Sequence, residues 1–260
     1  MRVSPESRPH AGVARLAELV RAARSAVVLT GAGISVPSGI PDFRSPGSGL
    51  WERVDPMDVA HIDVFHSHPA RFWRFYGERF ASLGGKQPNA AHRALVALER
   101  AGMLDAVITQ NIDMLHRKAG TSELVEVHGS IATCSCLSCG ERVSAQVARV
   151  RLAQDPDRVP RCQRCSLPLK PDVVLFGELL PAAALARAGE LCEQADLLLC
   201  IGSSLEVYPV AALPQRTLDA RGAVAVITRS ATPLDEAATV RLDGDVVEEM
   251  RALLAALDLS

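Results

Sequence analysis

The 260-residue sequence predicts an α/β fold built on a mostly parallel sheet, and three observations support this prediction. Short apolar runs such as residues 26–29 and 197–201 are typical of strands that are buried on both faces. Segments with apolar residues at helical spacing, such as residues 12–24, lie between most of these runs. Two stretches, residues 40–80 and 129–171, interrupt this alternation. We therefore expect a Rossmann-like sheet with helices on both faces, beside a smaller lobe formed by a helical insert and a cysteine-containing insert.

The first element is an amphipathic helix over residues 12–24, in which Arg and Glu separate the apolar positions. The apolar run at residues 26–29 ends in Thr30-Gly31-Ala32-Gly33, so a buried strand is expected to lead into a glycine turn. The same reasoning predicts strands at residues 106–108, 124–127, 173–175, 197–201 and 224–227, and helices at residues 89–101, 182–194 and 246–257.

The two insertions divide the sheet domain into separate segments of the chain. We expect residues 10–44, 81–128 and 172–260 to form the sheet domain. Residues 45–80 would form the helical insert, and residues 129–171, which hold two cysteine pairs, would form the second insert.

Composition and charge exclude several classes of function. The chain has 28 Lys and Arg against 30 Asp and Glu, and this balance argues against electrostatic binding to nucleic acid. No apolar run reaches the ~20 residues that a membrane span needs. The first 16 residues are polar and lack the apolar core of a secretory signal. We therefore expect a cytoplasmic protein without direct membrane or nucleic-acid contacts, and the oligomeric state stays open.

Seven cysteines in a cytoplasmic chain favour metal binding over disulfides. Two Cys-x-x-Cys pairs are separated by 22 residues, and four thiolates at such spacing form a closed, structural zinc site in a zinc ribbon. Cys134 competes for the first ligand position, but it lacks the Cys-x-x-Cys spacing. Cys192 and Cys200 are expected to be core thiols. The predicted zinc ligands are Cys136, Cys139, Cys162 and Cys165.

Glycine-rich and polar segments follow several strands, where ligands bind in open parallel sheets. The turn Gly31–Ser35 lets the backbone approach a phosphate. However, Val36 replaces the third glycine of the dinucleotide fingerprint, and a tight turn explains the glycines equally well. Further along, Phe43 is suited to cover a flat ring and Arg44 to bind phosphate or ribose. An ordinary loop with a surface Asp–Arg pair also explains these two residues.

Polar residues follow the later strands in the same way. Gln110, Asn111 and Asp113 are suited to recognise an amide and sugar hydroxyls, whereas helix capping explains only one of them. His128 follows another strand and is placed to move a proton near neutral pH. A lone histidine is more often structural, but the strand-end position favours catalysis. The loop Gly202–Val207 offers backbone amides and hydroxyls for a phosphate or ribose.

Together these segments resemble the sirtuin family of NAD-dependent protein lysine deacylases. From about Leu16 to Leu257, the chain contains the family's motifs in the family's order: GAGIS, GIPDFR, TQNIDMLH, HG, the two cysteine pairs, PDVVLFGE and GSSLEV. Each motif is weak alone, whereas the ordered set is specific. The resemblance implies that NAD is consumed as a co-substrate and that one structural zinc ion is bound.

The resemblance also implies a role for each matching residue. His128 would be the general base, and Asn111 and Asp113 would complete the catalytic set. Acyl-lysine peptides would add as a strand between the FGE segment and the GSSLEV loop. NAD would be bound by Gly31, Ala32, Gly33, Val36, Phe43, Arg44, Gln110, Ile112, Asp113, Ser203, Ser204, Thr228, Asp245 and Val246. The peptide would be bound by Val174, Phe176, Gly177, Glu178, Leu205 and Glu206.

The reaction implied by the resemblance transfers an acyl group to ADP-ribose. The acyl-lysine carbonyl oxygen attacks the ribose C1′ as nicotinamide leaves, and His128 deprotonates the ribose hydroxyl that then attacks the acyl carbon. The zinc ion is structural and remote from this chemistry. Val36 and Thr228 depart from the residues that are usual in the family, and each departure is expected to weaken NAD binding modestly.

A Tyr-x-x-Arg sequence in the helical insert indicates an acyl preference. Tyr76 and Arg79 are three residues apart on a predicted helix, so a phenol and a guanidinium share one face. The segment resembles the signature of sirtuins that remove succinyl and malonyl groups. A packed Tyr beside a solvated Arg would explain it too. We expect activity on succinyl- or malonyl-lysine in addition to acetyl-lysine.

Three other classes of function make different demands on the sequence. An NAD-dependent dehydrogenase would need the glycine fingerprint that Val36 breaks, and it gives no role to the cysteine pairs. A zinc-ribbon nucleic-acid module would need a basic balance of charge. A mono-ADP-ribosyltransferase would use the same NAD site, so the sequence excludes it least.

Overall fold

The structure is a computed structural model that describes residues 11–42 and 54–259. Within this part of the chain, no helix is both long and apolar enough to cross a membrane. The strands are β1 (Ala26–Thr30), β2 (Ala106–Thr109), β3 (Leu124–Glu126), β4 (Gly129–Cys136), β5 (Arg142–Ser144), β6 (Leu169–Val173), β7 (Leu197–Ile201), β8 (Ala223–Ile227) and β9 (Val240–Leu242). The helices are α1 (Ala11–Ala22), α2 (Pro56–Val59), α3 (Ile62–Ser67), α4 (Pro69–Gly85), α5 (Ala90–Arg100), α6 (Leu115–Ala119), α7 (Ala145–Gln154), α8 (Ala182–Gln194), α9 (Leu213–Asp219) and α10 (Val246–Ala256). Short 3₁₀ turns cover Ala32–Ser38 and Val210–Ala212.

The main sheet has six strands in the order β3-β2-β1-β7-β8-β9, and every neighbouring pair is parallel. Strands β2 and β3 follow β1 toward one edge of the sheet, and strands β8 and β9 follow β7 toward the other edge. The order of the strands therefore reverses between β1 and β7, where open α/β sheets bind ligands beyond the carboxyl ends of the strands. This topology confirms the predicted Rossmann-like sheet.

Helices cover both faces of this sheet, because successive residues of a strand point to opposite sides. On one face, Val28 belongs to a core cluster with residues of α1, α5 and α10, such as Leu16. On the other face, Val27 and Leu29 belong to a cluster with residues of α8 and α9, such as Leu191. All residues of β1 are buried, as expected for a strand that is covered on both faces.

The smaller lobe has one core that joins the two inserts. Aromatic residues of α4, including Phe72, Trp73 and Phe80, share a core cluster with Cys136 and Leu169. The Trp73 indole N–H donates to the Leu169 carbonyl, with 3.0 Å between Nε1 and O. The lobe also contains an antiparallel sheet of three strands in the order β5-β4-β6. The helical insert and the cysteine insert therefore build a single lobe.

Two segment limits differ between the structure and the sequence analysis. The helical insert is expected to end at residue 80, whereas its last helix, α4, continues to Gly85. The strand predicted at residues 173–175 is wrong in extent and partner, because β6 ends at Val173 and pairs with Gly129 in the antiparallel sheet of the lobe. The apolar run instead reflects burial in the lobe, since Leu175 belongs to its core.

Candidate active site

Three glycines bring two loops into direct backbone contact where the strand order reverses. The Gly33 N–H donates to the Gly202 carbonyl over 2.8 Å. A Cβ atom on Gly33 would lie 2.7 Å from the Gly202 Cα, and one on Gly202 would lie 2.3 Å from the Ile34 nitrogen. A Cβ atom on Gly31 would likewise lie 2.7 Å from the Gly202 carbonyl oxygen. The turn after β1 and the loop after β7 therefore need glycine, and they form a crevice lined by backbone at the expected ligand site.

Asn111 and Asp113 hold this glycine turn in place. The Asn111 side-chain amide donates to the Gly31 carbonyl over 3.0 Å and to Ser35 Oγ over 3.2 Å. Ser35 Oγ in turn donates to Asp113 Oδ2 over 2.6 Å. Burial raises the pKa of Asp113, and the hydrogen bonds from Ser35 and from the Leu115 N–H oppose that rise. The two side chains thus tie the loop after β2 to the turn after β1.

Gln110 connects the ends of β2 and β7 with His128. Its side-chain amide donates to Ser203 Oγ over 2.9 Å. The same hydroxyl oxygen accepts the Leu205 N–H over 3.2 Å, so it fixes the loop after β7. The backbone carbonyl of Gln110 lies 3.0 Å from His128 Nδ1. The predicted site residues Gln110, Ser203 and His128 therefore lie together at one edge of the sheet.

The His128 imidazole is held in one protonation pattern. A carbonyl oxygen can only accept, so Nδ1 carries the proton that is donated to Gln110, and Nε2 carries the lone pair. Burial lowers the pKa of His128, and the hydrogen bond to Gln110 opposes that shift. The ring is therefore neutral near pH 7 and able to take up a proton at Nε2.

The residues predicted at the adenosine end have structural partners of their own. Asp245 accepts the Val247 N–H at the start of α10 and forms an ion pair with Arg229, with 2.7 Å between Oδ2 and Nη2. Thr228 follows β8, and its N–H donates to the Leu242 carbonyl over 3.0 Å. Ala32, Val36, Ser204 and Val246 lie in the same strand-end loops or at the start of α10, and the predicted contacts of Phe43 and Arg44 fall outside the described residues.

The segment after β6 is fixed on one side by the helical insert. The Phe176 N–H donates to the Ala60 carbonyl over 3.0 Å, and the Phe176 carbonyl accepts the Ile62 N–H over 2.9 Å. Gly177 has a φ of +85°, which favours glycine. In the described part of the chain, no hydrogen bond uses the backbone of Gly177 or of Ser204. Both segments that are predicted to bind a peptide therefore contain a residue whose backbone is not paired with residues 11–42 or 54–259.

Several predicted peptide contacts also have structural partners. Lys170 is 6% exposed, and its Nζ lies 2.8 Å from Glu178 Oε2 and 2.7 Å from the Val173 carbonyl oxygen. The same Glu178 oxygen accepts the Leu175 N–H over 2.9 Å. Of the other predicted peptide contacts, Val174 donates its N–H to the His128 carbonyl. The Leu205 side chain is buried, with 4% exposed, whereas Glu206 is exposed. The Glu178 side chain therefore shapes the segment. The Glu178 N–H also donates to the Leu175 carbonyl over 3.1 Å, so the backbone of Gly177 is the part of this segment that has no partner among the described residues.

The four predicted zinc ligands meet in the lobe. One Sγ atom of each lies within 4.8 Å of the other three, while Cys134 is not part of the group. Cys136 Sγ lies 3.4 Å from Cys165 Sγ, and Cys139 Sγ lies 3.4 Å from Cys162 Sγ, so the four sulfur atoms surround one position as a closed zinc site requires. Cys192 and Cys200 are buried in the core of the sheet domain, as expected. The donor set fits zinc: Cys136, Cys139, Cys162 and Cys165.

The arrangement matches a known family. The sequence profile of the Sir2 family matches residues 31–209, a range that includes the glycine turn, Gln110, His128 and the four cysteines. The chain belongs to the Sir2 family.

Curated relatives cover almost all of this Sir2 chain. The NAD-dependent protein deacetylase 2 of Caldanaerobacter subterraneus is 44% identical over 226 residues, which is 87% of this chain and 88% of that protein. The NAD-dependent protein deacetylase of Thermotoga maritima is 40% identical over 237 residues, or 91% and 95% of the two chains. A solved structure of Sir2 with a p53 peptide and NAD⁺ has a TM-score of 0.88 at 39% identity and covers 95% of this chain and 98% of that chain. This Sir2 protein is an NAD-dependent protein deacylase.

Sequence reasoning missed two residues, Ser35 and Lys170, and one backbone pairing that shape the Sir2 site. Ser35 lies within the GAGIS motif, and its hydroxyl bridges Asn111 and Asp113. Lys170 precedes the FGE segment by several residues, and a lone lysine gives no sign of an ion pair. The pairing of Phe176 with the helical insert is a long-range contact for which the sequence carries no local signal.

Proposed function

We propose that this Sir2 enzyme transfers the acyl group of an acyl-lysine peptide to ADP-ribose, with His128 as the general base. The observation that supports this proposal is the His128–Gln110 hydrogen bond, which leaves Nε2 free to accept a proton in the same crevice as the glycine turn. NAD supplies a ribose whose bond to nicotinamide is broken in the reaction. The acyl-lysine carbonyl oxygen forms the new bond to C1′ as nicotinamide leaves, and His128 Nε2 then takes the proton of the ribose hydroxyl that attacks the acyl carbon. The bond from this carbon to the lysine nitrogen breaks, the free lysine leaves, and one water molecule adds to give O-acyl-ADP-ribose.

The other site residues orient NAD in this proposal. The pyrophosphate would lie against the turn Gly31–Gly33, which is held in place by the close contact of both glycines with the loop after β7. Asn111 and Asp113 complete the catalytic set through the network that fixes the turn. The remaining proposed contacts are Val36, Phe43, Arg44, Gln110, Ile112, Ser203, Ser204, Thr228, Asp245 and Val246. A cytoplasmic location is part of this proposal, because cysteines stay reduced there and can bind zinc.

Acyl peptides are proposed to bind by strand addition along Gly177 and Ser204. The backbone groups of both residues have no partner among the described residues, and strand addition uses such groups. The ion pair of Lys170 with Glu178 fixes the first of these segments, because Glu178 also accepts the Leu175 N–H. The binding strength would then depend on Lys170 although this side chain is buried.

Replacing Lys170 with Met should raise the KM of an acetyl-lysine peptide about three- to tenfold, because a buried charged hydrogen bond that fixes the peptide-binding segment is lost. The KM of NAD should not change. Steady-state kinetics with each substrate varied in turn measures both constants. Lys118→Met is the matched control, since Lys118 also donates to two backbone carbonyls, at Gly84 and Lys86. An equal rise in both KM values would contradict a role specific to the peptide.

The acyl preference is proposed to extend to succinyl- and malonyl-lysine. Burial raises the pKa of Tyr76 to about 12, and the charge of Arg79 opposes that rise. Burial lowers the pKa of Arg79, which is partly buried one turn after Tyr76 in α4. Its guanidinium lies over the Phe75 ring, with 5.4 Å between Cζ and the ring centroid. No carboxylate of residues 11–42 or 54–259 pairs with Arg79. Ile112, next to the proposed catalytic residue Asn111, packs against the aromatic cluster that contains Tyr76. A substrate carboxylate would therefore find two donors near the acyl-binding region.

Replacing Arg79 with Met should lower kcat/KM for a succinyl-lysine peptide about tenfold or more, because a charged hydrogen bond of ~1.5–3 kcal/mol is lost. Activity on the same peptide with acetyl-lysine should be unchanged or higher. Arg74→Met is the matched control, because Arg74 lies on the same helix and is exposed. Equal losses on both peptides, or no succinyl activity in the parent enzyme, would leave Arg79 without a role in substrate choice.

The function is tested by mass spectrometry of acetyl-, succinyl- and malonyl-lysine peptides incubated with and without NAD. We expect free lysine, nicotinamide and O-acyl-ADP-ribose in equal amounts, and none of them when NAD or the acyl group is omitted. Protein-linked ADP-ribose that forms without acyl-lysine would instead favour the alternative function, a mono-ADP-ribosyltransferase that uses the same NAD site.

A further inference from the structure

A single hydroxyl group joins both ends of the loop that carries the proposed NAD contacts. This loop, Gln110–Leu115, begins after Thr109, includes the first residue of α6, and is followed by His116 in the first turn of that helix. Thr30 Oγ1, at the end of β1, lies 2.8 Å from Thr109 Oγ1 and 2.9 Å from His116 Nε2. The residues on either side of the loop are therefore anchored to the same atom.

The direction of each hydrogen bond follows from the position of the protons. A proton on His116 Nδ1 would be buried without an acceptor among the described residues, so the neutral ring carries its proton on Nε2 and donates it to Thr30 Oγ1. The Thr30 hydroxyl donates its own proton to Thr109 Oγ1. Thr109 Oγ1 also accepts the Asn111 N–H over 3.1 Å. Donation thus runs from His116 through Thr30 to Thr109, and it ends beside Asn111, whose side chain holds the glycine turn.

Burial of His116 is costly, and packing alone does not account for it. His116 is 2% exposed, and its Nδ1 has no hydrogen-bond partner among the described residues. Its neighbour His92 is 0% exposed, with a distance of 4.9 Å between the ring centroids, and neither of its ring nitrogens has a partner there. An apolar side chain would avoid this loss of hydrogen bonds. The Nε2–H of His116 is therefore the polar contribution that this position provides.

We propose that His116 is a positioning residue for NAD, which acts through the Thr30 hydroxyl to fix both ends of the loop Gln110–Leu115. This inference rests on the proposed NAD site. His116 does not relay protons in this role, because burial lowers its pKa to about 3 and the ring stays neutral at working pH. Its contribution is a single N–H at a fixed position.

The test compares His116→Gln with His116→Met. Gln and Met have similar length, but only Gln places an N–H near the position of Nε2. Isothermal titration calorimetry with NAD should show that His116→Met weakens binding about three- to tenfold, whereas His116→Gln recovers most of the parent affinity. Thr30→Val, which removes the shared hydroxyl at nearly constant volume, should weaken binding by a similar factor even if His116→Met fails to fold.

His92→Met is the matched control, because it removes the neighbouring buried imidazole without touching Thr30. It should change the melting temperature but leave NAD affinity at the parent value. Equal affinity for His116→Gln and His116→Met, or an equal loss for His92→Met, would overturn the proposal. The measurement is independent of deacylation: a parent protein that binds NAD without deacylating peptides would refute the proposed function and still test His116.

Discussion

Replacing His128 with Ala is expected to lower the turnover of an acetyl-lysine peptide by ~10²–10⁴-fold, which is the usual loss on removal of a general base. The Gln110 carbonyl fixes the proton on Nδ1, and Nε2 is the only remaining basic position of the ring. Turnover is measured by mass spectrometry at saturating NAD and peptide. NAD binding and the melting temperature should stay close to the parent values, because the His128 side chain makes a single hydrogen bond within the protein.

His66→Ala is the matched control for this change. His66 is exposed and lies in α3, and the same truncation there should leave turnover unchanged. Full turnover in His128→Ala would refute the assignment of the base. A loss of turnover accompanied by a collapsed melting temperature would show that the side chain is needed for folding, and the assignment would then fail as well.

The rate should also respond to pH in a direction set by burial. Burial lowers the pKa of His128 below the ~6.5 of a free histidine, so the neutral, active form persists further into acid. The acid limb of kcat/KM should therefore lie below pH ~6.5, and the profile should be flat from there to neutral pH. An acid limb centred above that value would contradict the environment that the fold gives this ring.

The parts of this site that the sequence predicts are the local ones. Glycine after β1 and polar residues after β2 are visible in the order of residues, because a parallel sheet brings all strand ends to one edge. The helix-capping role of Asp245 also has a local signal. Asp245 and Glu248 have the spacing of a helix capping box, and Asp245 accepts N–H groups at the start of α10.

Contacts between distant segments could not be predicted. The Thr30 hydroxyl that joins Thr109 and His116 depends on the register of β1 and β2. The ion pair of Lys170 with Glu178 depends on the path of the chain after β6, where the apolar run at residues 173–175 predicts a strand of the main sheet that the structure does not have. Such contacts arise from packing, and a single sequence gives no measure of which side chains packing will bring together.

Loss of zinc is the second change with a large expected effect. Replacing Cys136 with Ser should remove the metal and unfold the smaller lobe, because structural zinc sites contribute ~10–16 kcal/mol in isolated zinc fingers and a whole domain is stable by only ~5–15 kcal/mol. Zinc content is measured by elemental analysis, which should fall from one ion per chain to none. The lobe core contains two of the four ligands, Cys136 and Cys162, together with Tyr76 and Phe80, so its aromatic cluster should become exposed and bind a hydrophobic dye.

Cys134→Ser is the matched control, because Cys134 lies two residues earlier in the same strand and outside the four-cysteine group. This variant should keep one zinc ion per chain and lose only the stability that a buried thiol provides. The two cores of the sheet domain contain none of the four ligands, so zinc-free protein should retain part of its helical signal in circular dichroism. Freshly purified parent protein without zinc, or equal loss of metal from Cys134→Ser, would refute the assignment of the four ligands.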